Sequence, residues 1–302
     1  MNSVSVAHIS KQFASVKALD DISFDIDKGE LFGFIGPDGA GKTTLFRILT
    51  TLLLPDTGSA LINGLDVVKD YKKIRKDIGY MPGRFSLYTD LSVEENLNFY
   101  ATVFGTSVSQ NYDLIKDIYI QIEPFKKRKA GKLSGGMKQK LALSCALIHK
   151  PSVLVLDEPT TGVDAVSRLE FWEMLKRLKE VGITIVVSTP YMEEAGLCDR
   201  VALIQDGHIM TMRSPSEIIK TYPWNLFSVK SDDIFNLLND LRQIPRVHTV
   251  FAFGQSARIS FKDQESEEFL SEYLKAKGHS GVQINRAKAN IEDCFMELMI
   301  KS

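Results

Sequence analysis

The chain has 302 residues, of which 44% are hydrophobic and 25% are charged, with a formal net charge of -1 at pH 7. This composition is that of a globular protein long enough for two domains, and the lack of a global positive charge argues against nucleic acid as a partner. The three cysteines lie far apart, so we expect free thiols in a reducing compartment. No run approaches the roughly 18 consecutive apolar residues of a membrane span, and we expect neither a span nor a secretory leader.

The first part of the chain predicts edge strands, a buried strand and an inserted helical segment. From Val4 to Asp27 short apolar runs alternate with polar residues, which is typical of strands at a sheet edge. The continuously apolar run from Leu31 to Ile35 predicts a strand that is buried on both faces. Ser92 and Glu95 have the spacing of a capping box, and residues 87–150 are mostly helical in pattern.

Buried strands and a helix alternate in the second part of the core. The predicted strands cover residues 153–156, 183–187 and 201–204, and the predicted helix covers residues 165–181. Strands that alternate with helices predict an open, mostly parallel α/β sheet. The expected fold is therefore an α/β nucleotide-binding core with antiparallel edge strands and a helical subdomain over residues 87–150.

The pattern changes after Tyr222, where we place a domain boundary between residues 1–222 and residues 223–302. The order strand, helix, strand, strand, helix, strand, helix favours a small α+β domain of ferredoxin-like type. Its predicted strands cover residues 226–229, 247–252, 257–261 and 282–285, and its predicted helices cover residues 234–241, 265–277 and 291–299.

Residues 36–44 read GPDGAGKTT, which fills the phosphate-binding pattern G-x-x-x-x-G-K-[ST] at every required position. Glycines let backbone N–H groups converge on an anion, and a helix that begins near Lys42 adds the positive end of its dipole. We expect Lys42 to reach the β- and γ-phosphates and Thr43 to bind Mg²⁺. The candidate nucleotide-binding residues in this run are Gly36, Asp38, Gly39, Ala40, Gly41, Lys42, Thr43 and Thr44. The alternative is a glycine-rich turn before a helix, but the strand before and the helical pattern after supply the required context.

Asp157 and Glu158 directly follow a buried strand. This position places two carboxylates at the carboxyl end of the strand, where ligands bind in open α/β sheets. We expect Asp157 to hold Mg²⁺ and Glu158 to orient and deprotonate the water that attacks the γ-phosphate. The alternative is a solvated strand end, which the phosphate-binding run earlier in the chain disfavours.

Residues 133–140 read LSGGMKQK, which by itself predicts a loop and a helix capped by Ser134. The pattern Leu-Ser-Gly-Gly-x-x-Gln, followed by an apolar strand that ends in Asp-Glu-Pro, resembles the ATP-binding cassette (ABC) family of ATPases. The resemblance spans roughly residues 4–215, and its motifs occur in the family's order.

The resemblance implies that two cassettes sandwich two ATP molecules, each bound by one chain's phosphate loop and the other chain's signature motif. In this chain the signature residues are Ser134, Gly135 and Gly136, whose amides and helix N-terminus form a second anion site. By position, Phe13 is expected to stack on adenine, the alternative being a core aromatic. Asp164 is the acidic residue of a loop that crosses the dimer interface in the family.

Two positions depart from the family pattern. Gly83 stands where the family has a glutamine that contacts Mg²⁺, the attacking water and the membrane partner, and Pro190 stands where it has a histidine that holds the γ-phosphate. Proline offers neither a side-chain donor nor a backbone N–H. The expectation is that the chain binds ATP but hydrolyses it slowly, unless Arg84 or Tyr191 substitutes for the missing groups.

Several segments resemble in sequence the corresponding segments of cassettes from bacterial exporters for drugs, lipids or polysaccharides. Among them are MP at residues 81–82, YMEEA at residues 191–195 and IEDCFMEL at residues 291–298. Such cassettes work with separate membrane-spanning permease subunits. The resemblance implies a cytoplasmic chain, peripheral on the cytoplasmic face of the cell membrane, with residues 85–91 as a docking surface or an ordinary loop. The second domain either regulates, dimerises or is structural.

Two rival functions remain open from the sequence. One is a soluble ABC ATPase that acts on ribosomes or DNA, which the single cassette and the lack of heptads or a basic stripe disfavour. The other is a nucleotide-gated regulatory subunit with negligible turnover, which Gly83 and Pro190 motivate.

Overall fold

The apolar run Leu31–Ile35 forms a fully buried strand inside a six-stranded sheet in a computed structural model that describes residues 2–263 and 266–301. The chain divides into two compact units, Met1–Pro215 and Ser216–Ser302. The division lies ahead of the boundary near residue 222 that the change in sequence pattern suggested. The boundary lies earlier because Ile218 packs within the second unit. Its side chain is buried, and its carbonyl oxygen accepts a hydrogen bond from the Sγ of Cys294.

The first unit contains ten strands and six α-helices within the described residues. The strands are β1 (Asn2–Phe13), β2 (Val16–Asp27), β3 (Leu31–Ile35), β4 (Thr57–Ile62), β5 (Leu65–Asp66), β6 (Ile78–Met81), β7 (Val153–Asp157), β8 (Thr184–Thr189), β9 (Arg200–Gln205) and β10 (His208–Arg213). The helices are α1 (Lys42–Leu49), α2 (Tyr71–Asp77), α3 (Val93–Val103), α4 (Tyr112–Tyr119), α5 (Gly135–Leu147) and α6 (Ala165–Glu180). Three 3₁₀ turns complete it, at Glu123–Phe125, Ala130–Lys132 and Met192–Leu197.

The strands of the first unit form two sheets. The larger has the order β10-β9-β3-β8-β7-β6 and is parallel except for the hairpin of β9 and β10. The smaller has the order β2-β1-β4-β5 and is antiparallel throughout. The prediction of a mostly parallel sheet with antiparallel edge strands is therefore confirmed. Because β3, β7 and β8 are adjacent and parallel, the residues that follow them meet at one edge of the sheet.

An aromatic cluster fixes helix α1 against the two sheets. Phe46 of α1 meets Phe34 of β3 edge to face, with ring centroids 5.7 Å apart. Phe34 in turn meets Phe24 of β2 at 5.0 Å, also edge to face, which is the favoured arrangement for aromatic pairs. These contacts fix the position of α1 relative to β3. The phosphate-binding run connects the end of β3 to the start of α1, so its two ends are fixed as well.

The helical subdomain begins at a capping box, as the sequence predicts. The Ser92 hydroxyl accepts a hydrogen bond from the Glu95 amide at 3.2 Å, and the Glu95 carboxylate accepts one from the Ser92 amide at 2.7 Å. Ser134 caps α5 in the same way by accepting from the Met137 amide. Both helix starts are thus fixed by side chains that the sequence identified.

Helix α7 (Pro215–Lys220) begins at the last residue of the first unit and continues into the second. The second unit further contains β11 (Asn225–Lys230), α8 (Ile234–Leu241), β12 (Val247–Phe253), β13 (Ser256–Phe261), α9 (Glu267–Ala276), β14 (Gln283–Arg286) and α10 (Ile291–Lys301). Its antiparallel sheet has the order β12-β13-β11-β14. From β11 to β14 the elements follow the β-α-β-β-α-β order of the ferredoxin-like motif. Glu265, where we expected the helix over residues 265–277 to begin, lies outside the described residues. Within the described part of the chain, every helix is too short or too polar to cross a membrane.

Two side-chain contacts connect α10 to the sheet of the second unit. The Arg258 guanidinium of β13 donates to Asp293 at 2.8 Å, and His248 of β12 lies 2.6 Å from Glu297. Burial raises the pKa of Asp293, while the hydrogen bond from the Asn290 amide and the charge of Arg258 act in the opposite direction. Asp293 and Glu297 of the IEDCFMEL segment therefore contact Arg258 and His248 of the sheet.

We predict that Asp293→Ala lowers the free energy of unfolding of the second unit by about 3–5 kcal/mol, because it leaves the nearly buried Arg258 without its carboxylate. The chain has one tryptophan in each unit, Trp172 in the first and Trp224 in the second. In a Trp172→Phe background, Trp224 fluorescence therefore measures the unfolding of the second unit in guanidinium chloride. An Arg258→Met/Asp293→Leu variant should be less destabilised, since it leaves no buried charge. Equal destabilisation of the two variants would contradict the assignment.

Candidate functional site

The phosphate-binding run lies between β3 and α1, at the edge of the sheet where the parallel strands end. It borders a cleft of about 560 Å³. The residues predicted for the site that line this cleft are Asp38, Gly39, Gly41, Lys42, Thr43, Thr44 and Glu158. Gly36 and Ala40 lie behind the lining, where the Gly36 amide donates to Thr189 and the Ala40 carbonyl oxygen accepts from Gly207.

Two glycines of the run are required by close packing against neighbouring strands. Gly41 has φ 104°, and a Cβ there would lie 2.4 Å from the carbonyl oxygen of Ala18. A Cβ at Gly36 would lie 2.1 Å from the carbonyl oxygen of Ile204. No side chain fits at these distances, so the run can pass between its neighbours only with glycine at both positions.

Lys42 is the central charge of the site, with only 3% of its side chain exposed. Its Nζ donates to the carbonyl oxygens of Gly36 at 2.8 Å and Pro37 at 2.9 Å, and it lies 3.2 Å from the Oε1 of Glu158. A buried ammonium requires such partners, because its desolvation is otherwise costly. The loop thus bends around the lysine and holds its positive charge at the border of the cleft.

The Thr43 hydroxyl and the Asp157 carboxylate form an oxygen-rich pair beside Lys42. Thr43 Oγ1 donates to Asp157 Oδ1 at 3.2 Å, and Ser188 Oγ donates to the same carboxylate oxygen at 2.7 Å. Hydroxyl and carboxylate oxygens are the ligands that Mg²⁺ prefers, so this pair fits that ion. Burial and the negative charge of Asp157 raise the pKa of the nearby Tyr80 to about 12, which keeps its phenol protonated.

Glu158 adopts a strained backbone conformation that carries its carboxylate into the cleft. Its φ is 49°, which is uncommon for a residue other than glycine. Its amide donates to the Ser188 carbonyl oxygen at 3.1 Å and to the Ser188 hydroxyl at 3.0 Å. Left-handed strain of this kind costs of the order of 1–3 kcal/mol and persists only where the surroundings hold it.

Among the described residues, the lining of this cleft does not include the signature residues, and two of them approach the segment that follows Glu158. Gly135 approaches the carbonyl oxygen of Gly162, and a Cβ at Gly136 would lie 2.8 Å from Ser167 Oγ. Asp164 caps α6 by accepting from the Ser167 amide at 3.0 Å, and this hydrogen bond lowers the pKa of Asp164. The structure therefore places Gly135 and Gly136 beside the segment that Asp164 caps, and none of these residues lines the chain's own cleft.

Phe13 stands at the end of the hairpin of β1 and β2, and 46% of it is exposed. Lys11 Nζ lies 5.6 Å from the centroid of its ring. The described residues that line the cleft include Val16, Lys17 and Ala18 of that hairpin, but not Phe13 itself. The Phe13 ring is thus exposed near the cleft without lining it, and its stacking on adenine remains a prediction.

Sequence reasoning missed several residues of the site. Asp206, at the turn between β9 and β10, lines the cleft, and Ser188 binds both Asp157 and the Glu158 amide. The Asp-Gly pair at residues 206–207 is a strong hairpin signal that could have identified the turn. Ser188 carries no such signal, because its role follows only from the adjacency of β7 and β8.

The two positions that depart from the family pattern adjoin the site. A Cβ at Gly83 would lie 3.1 Å from the carbonyl oxygen of Asp157. Pro190 directly follows Thr189 at the end of β8, and the ring of the next residue, Tyr191, lies 4.7 Å from the Arg168 guanidinium. Among the described residues, the cleft lining includes none of positions 83, 84, 190 and 191.

The site combines a glycine-rich loop between β3 and α1, a buried lysine, and two carboxylates at the end of β7, which β8 separates from β3. This combination defines the class of P-loop nucleoside triphosphate sites. Comparison with known proteins narrows this class. The family model described as ABC transporter matches residues 19–161. The chain is 39% identical over 287 residues, 93% of its own length, to the probable multidrug ABC transporter ATP-binding protein YbhF of Escherichia coli (strain K12), and covers 49% of that protein.

A second relative aligns with this chain along almost the whole length of both proteins. The chain is 34% identical over 295 residues to a Nod factor export ATP-binding protein I of Burkholderia lata, covering 96% of this chain and 95% of that protein. Among solved structures, the ATP-binding cassette MJ0796, described as a dimer in a post-hydrolysis state bound to ADP and Pi, aligns with a TM-score of 0.64 and 26% identity. That alignment covers 70% of this chain and 98% of the cassette.

The chain therefore belongs to the ABC transporter family, as an ATP-binding cassette with the ATPase fold of that family. It spans about half the length of the YbhF proteins that it matches. The resemblance inferred from the phosphate-binding and signature motifs is confirmed.

We predict that Lys42→Met weakens ATP binding about 10- to 100-fold, because hydrogen bonds to a charged group contribute roughly 1.5–3 kcal/mol. Isothermal titration calorimetry with ATP and Mg²⁺ measures the change. Lys76→Met is the matched control, since Lys76 is exposed on α2 and does not line the cleft. Wild-type affinity in Lys42→Met would contradict the assignment of the phosphate site.

Proposed function

We propose that this chain is the ATP-binding subunit of an exporter, which couples ATP binding and hydrolysis to transport by separate membrane subunits. The observation that carries the proposal is the position of Lys42 and Glu158, 3.2 Å apart at the border of the phosphate-loop cleft. The names of the relatives, multidrug and Nod factor export, support the direction of transport.

Each group of the site has a chemical role in this proposal. The loop amides and Lys42 bind the phosphates, and the Lys42 ammonium exchanges its contact with Glu158 for the β- and γ-phosphate oxygens. Thr43 and Asp157 would hold Mg²⁺, which neutralises phosphate charge when bound. The freed Glu158 carboxylate then accepts a proton from the water that attacks the γ-phosphate.

The signature residues serve a second cassette in this proposal. Ser134, Gly135 and Gly136 lie at the N-terminus of the 13-residue helix α5, which favours an anion. Their absence from the lining of the chain's own cleft supports a role toward ATP held by a partner cassette. Asp164, at the start of α6 beside them, then lies at the dimer interface, and dimerisation depends on ATP.

The chain's own ATP site is impaired in hydrolysis in this proposal, because Gly83 and Pro190 lack the side chains that sense the γ-phosphate. Removing one preorganised donor to a developing charge costs on the order of 10²–10³ in rate, and two losses need not multiply. Lys42, Glu158 and the signature remain, so the chain retains the groups that bind ATP. A different cassette, with both sensors present, is the partner that this pattern fits best.

We predict that wild-type chain releases phosphate from Mg²⁺-ATP slowly and that Gly83→Gln/Pro190→His raises the rate by ~10²-fold. A steady-state phosphate-release assay measures both, and Glu158→Gln gives the inactive baseline. Because a Cβ at residue 83 would lie 3.1 Å from the Asp157 carbonyl oxygen, a side chain there requires a small shift.

The matched control is Gly83→Ala/Pro190→Ala, which introduces the same Cβ and removes the same proline without adding either sensor. It should remain as slow as wild type. Brisk turnover by the wild-type chain would contradict the impairment and favour substitution by Arg84 or Tyr191. Turnover that stays negligible in the double variant would favour the alternative function, a nucleotide-gated regulatory subunit.

The loop over residues 85–91 is the proposed docking surface for a membrane subunit. Asn96 is completely buried and fixes this loop by bonding both the amide of Tyr88, at 3.1 Å, and its carbonyl oxygen, at 3.0 Å. The Tyr88 ring is 50% exposed and meets the partly exposed Phe99 with centroids 4.8 Å apart. An ordered loop with exposed aromatic rings suits a protein interface.

We predict that Tyr88→Ser/Phe99→Ser reduces the recovery of membrane-spanning proteins with the tagged chain from detergent-solubilised membranes of its host, because it removes two exposed aromatic anchors. Mass spectrometry identifies the recovered proteins, and ATP affinity should not change. Phe235→Ser, which alters an even more exposed aromatic residue of the second unit, is the control. Recovery of ribosomal proteins or DNA, and no membrane protein with wild type, would favour a soluble ABC ATPase.

A further inference from the structure

Glu194 is a buried carboxylate beside the site for which the functional assignment gives no role. It lies in the 3₁₀ turn Met192–Leu197 after Pro190, and only 3% of it is exposed. A carboxylate almost never occupies such a position unless hydrogen bonds and opposite charge compensate its desolvation. Its partners therefore indicate what the residue holds in place.

One oxygen of Glu194 joins two separate segments of the site. Its Oε2 accepts from the Thr189 hydroxyl at 2.6 Å and from the Thr160 hydroxyl at 3.1 Å. Thr189 ends β8, and Thr160 lies in the turn after Glu158. Each hydroxyl has a single proton, so both protons are committed to this carboxylate.

The other oxygen of Glu194 faces a cation. Its Oε1 is buried without a hydrogen-bond partner, and the Arg168 guanidinium of α6 lies close to it, with Nη1 at 4.0 Å. Arg168 also lies 3.6 Å from Glu193, which is exposed, and packs over the Tyr191 ring. The negative charge of Glu194 is thus compensated from the helix that follows Asp164.

Through these two threonines, Glu194 is connected to the phosphate loop and to the turn after Glu158. The Thr189 carbonyl oxygen accepts from the Gly36 amide of the phosphate loop at 3.3 Å. Thr160 belongs to the turn in which the Thr161 amide donates to the Glu158 carbonyl oxygen at 3.2 Å. Glu158 is therefore held at its amide by Ser188 and, through this turn, by Glu194, which is the support that its strained φ requires.

From these contacts we infer that Glu194 is a positioning residue for ATP hydrolysis, which fixes the turn after Glu158 and thereby the direction of the Glu158 carboxylate. The inference rests on the proposed role of Glu158 as the base. It assigns no contact between Glu194 and the nucleotide, so its effect is expected in the rate of hydrolysis and not in ATP binding.

The test compares variants of the full chain in single-turnover hydrolysis, with protein in excess over radiolabelled ATP and Mg²⁺ present. We expect Glu194→Ala to slow hydrolysis about tenfold or more, while the Kd for ATP changes less than about twofold. Glu194→Gln keeps an acceptor oxygen and should restore most of the rate. Glu193→Ala removes the other carboxylate beside Arg168 and should behave as wild type.

A double-mutant cycle locates the effect. Thr160→Val removes the hydroxyl while keeping the shape of the side chain, and it should add little to Glu194→Ala if the two groups act through one contact. Full additivity of the two rate losses would overturn the inference. A parallel loss of rate, affinity and melting temperature in Glu194→Ala, without rescue by Glu194→Gln, would also overturn it by indicating a purely structural role.

Hydrogen exchange of the backbone amides over residues 158–164 gives a readout that needs no turnover. We expect faster exchange there in Glu194→Ala than in Glu193→Ala, and equal exchange would overturn the inference. If wild-type chain hydrolyses no ATP even in single turnover, the proposed function fails instead, and the exchange comparison alone decides whether Glu194 fixes the turn.

Discussion

The burial of the Lys42 ammonium is the interaction on which the ATP site depends. An ammonium with 3% exposure must be surrounded by oxygens, and the structure supplies the carbonyl oxygens of Gly36 and Pro37 together with the carboxylate of Glu158. The loop that carries these carbonyl oxygens fits beside Ala18 and Ile204 only because glycine occupies positions 41 and 36. The carboxylate is available only because β7 ends beside β3's neighbour β8 in a parallel sheet. One buried charge thus links loop conformation, strand order and the strained backbone at Glu158.

The same interaction gives a physical reason why binding and hydrolysis are connected. While Lys42 contacts Glu158, the carboxylate that the proposal assigns as the base is engaged in an ion pair. Phosphate oxygens are competing partners for the ammonium, and their arrival releases Glu158 toward the cleft. The backbone of Glu158 does not need to move in this exchange, because Ser188 and the turn at Thr160 hold it independently of Lys42. In the proposed function, the base is therefore positioned before the nucleotide binds, which is what preorganisation requires.

Local sequence pattern predicted the parts of the site that depend on neighbouring residues in the chain. The phosphate-binding run, Asp157 with Glu158, and the caps at Ser92 and Ser134 are all recognisable within a few residues, because turns and caps are local structures. Ser188 and Glu194 were not predicted, because their contacts cross between strands and helices whose order in the sheet no local pattern encodes. Glu194 in particular resembles an ordinary surface glutamate in sequence, and only the fold reveals that it is buried against two threonines.

Gly83 and Pro190, the two departures from the family pattern, both adjoin the residues that form the site. Gly83 lies against the backbone of Asp157, and Pro190 follows Thr189, so each stands next to a hydrogen-bonded residue of the site without interrupting its bonds. Proline at residue 190 removes an amide donor, yet the Tyr191 amide still reaches the Thr189 hydroxyl at 3.0 Å. The scaffold that fixes Lys42, Asp157 and Glu158 is therefore intact, while the side chains that would respond to the γ-phosphate are missing. Under the proposed function, such a site retains the groups that bind ATP and lacks those that sense the γ-phosphate, so that binding and hydrolysis are separable in this chain.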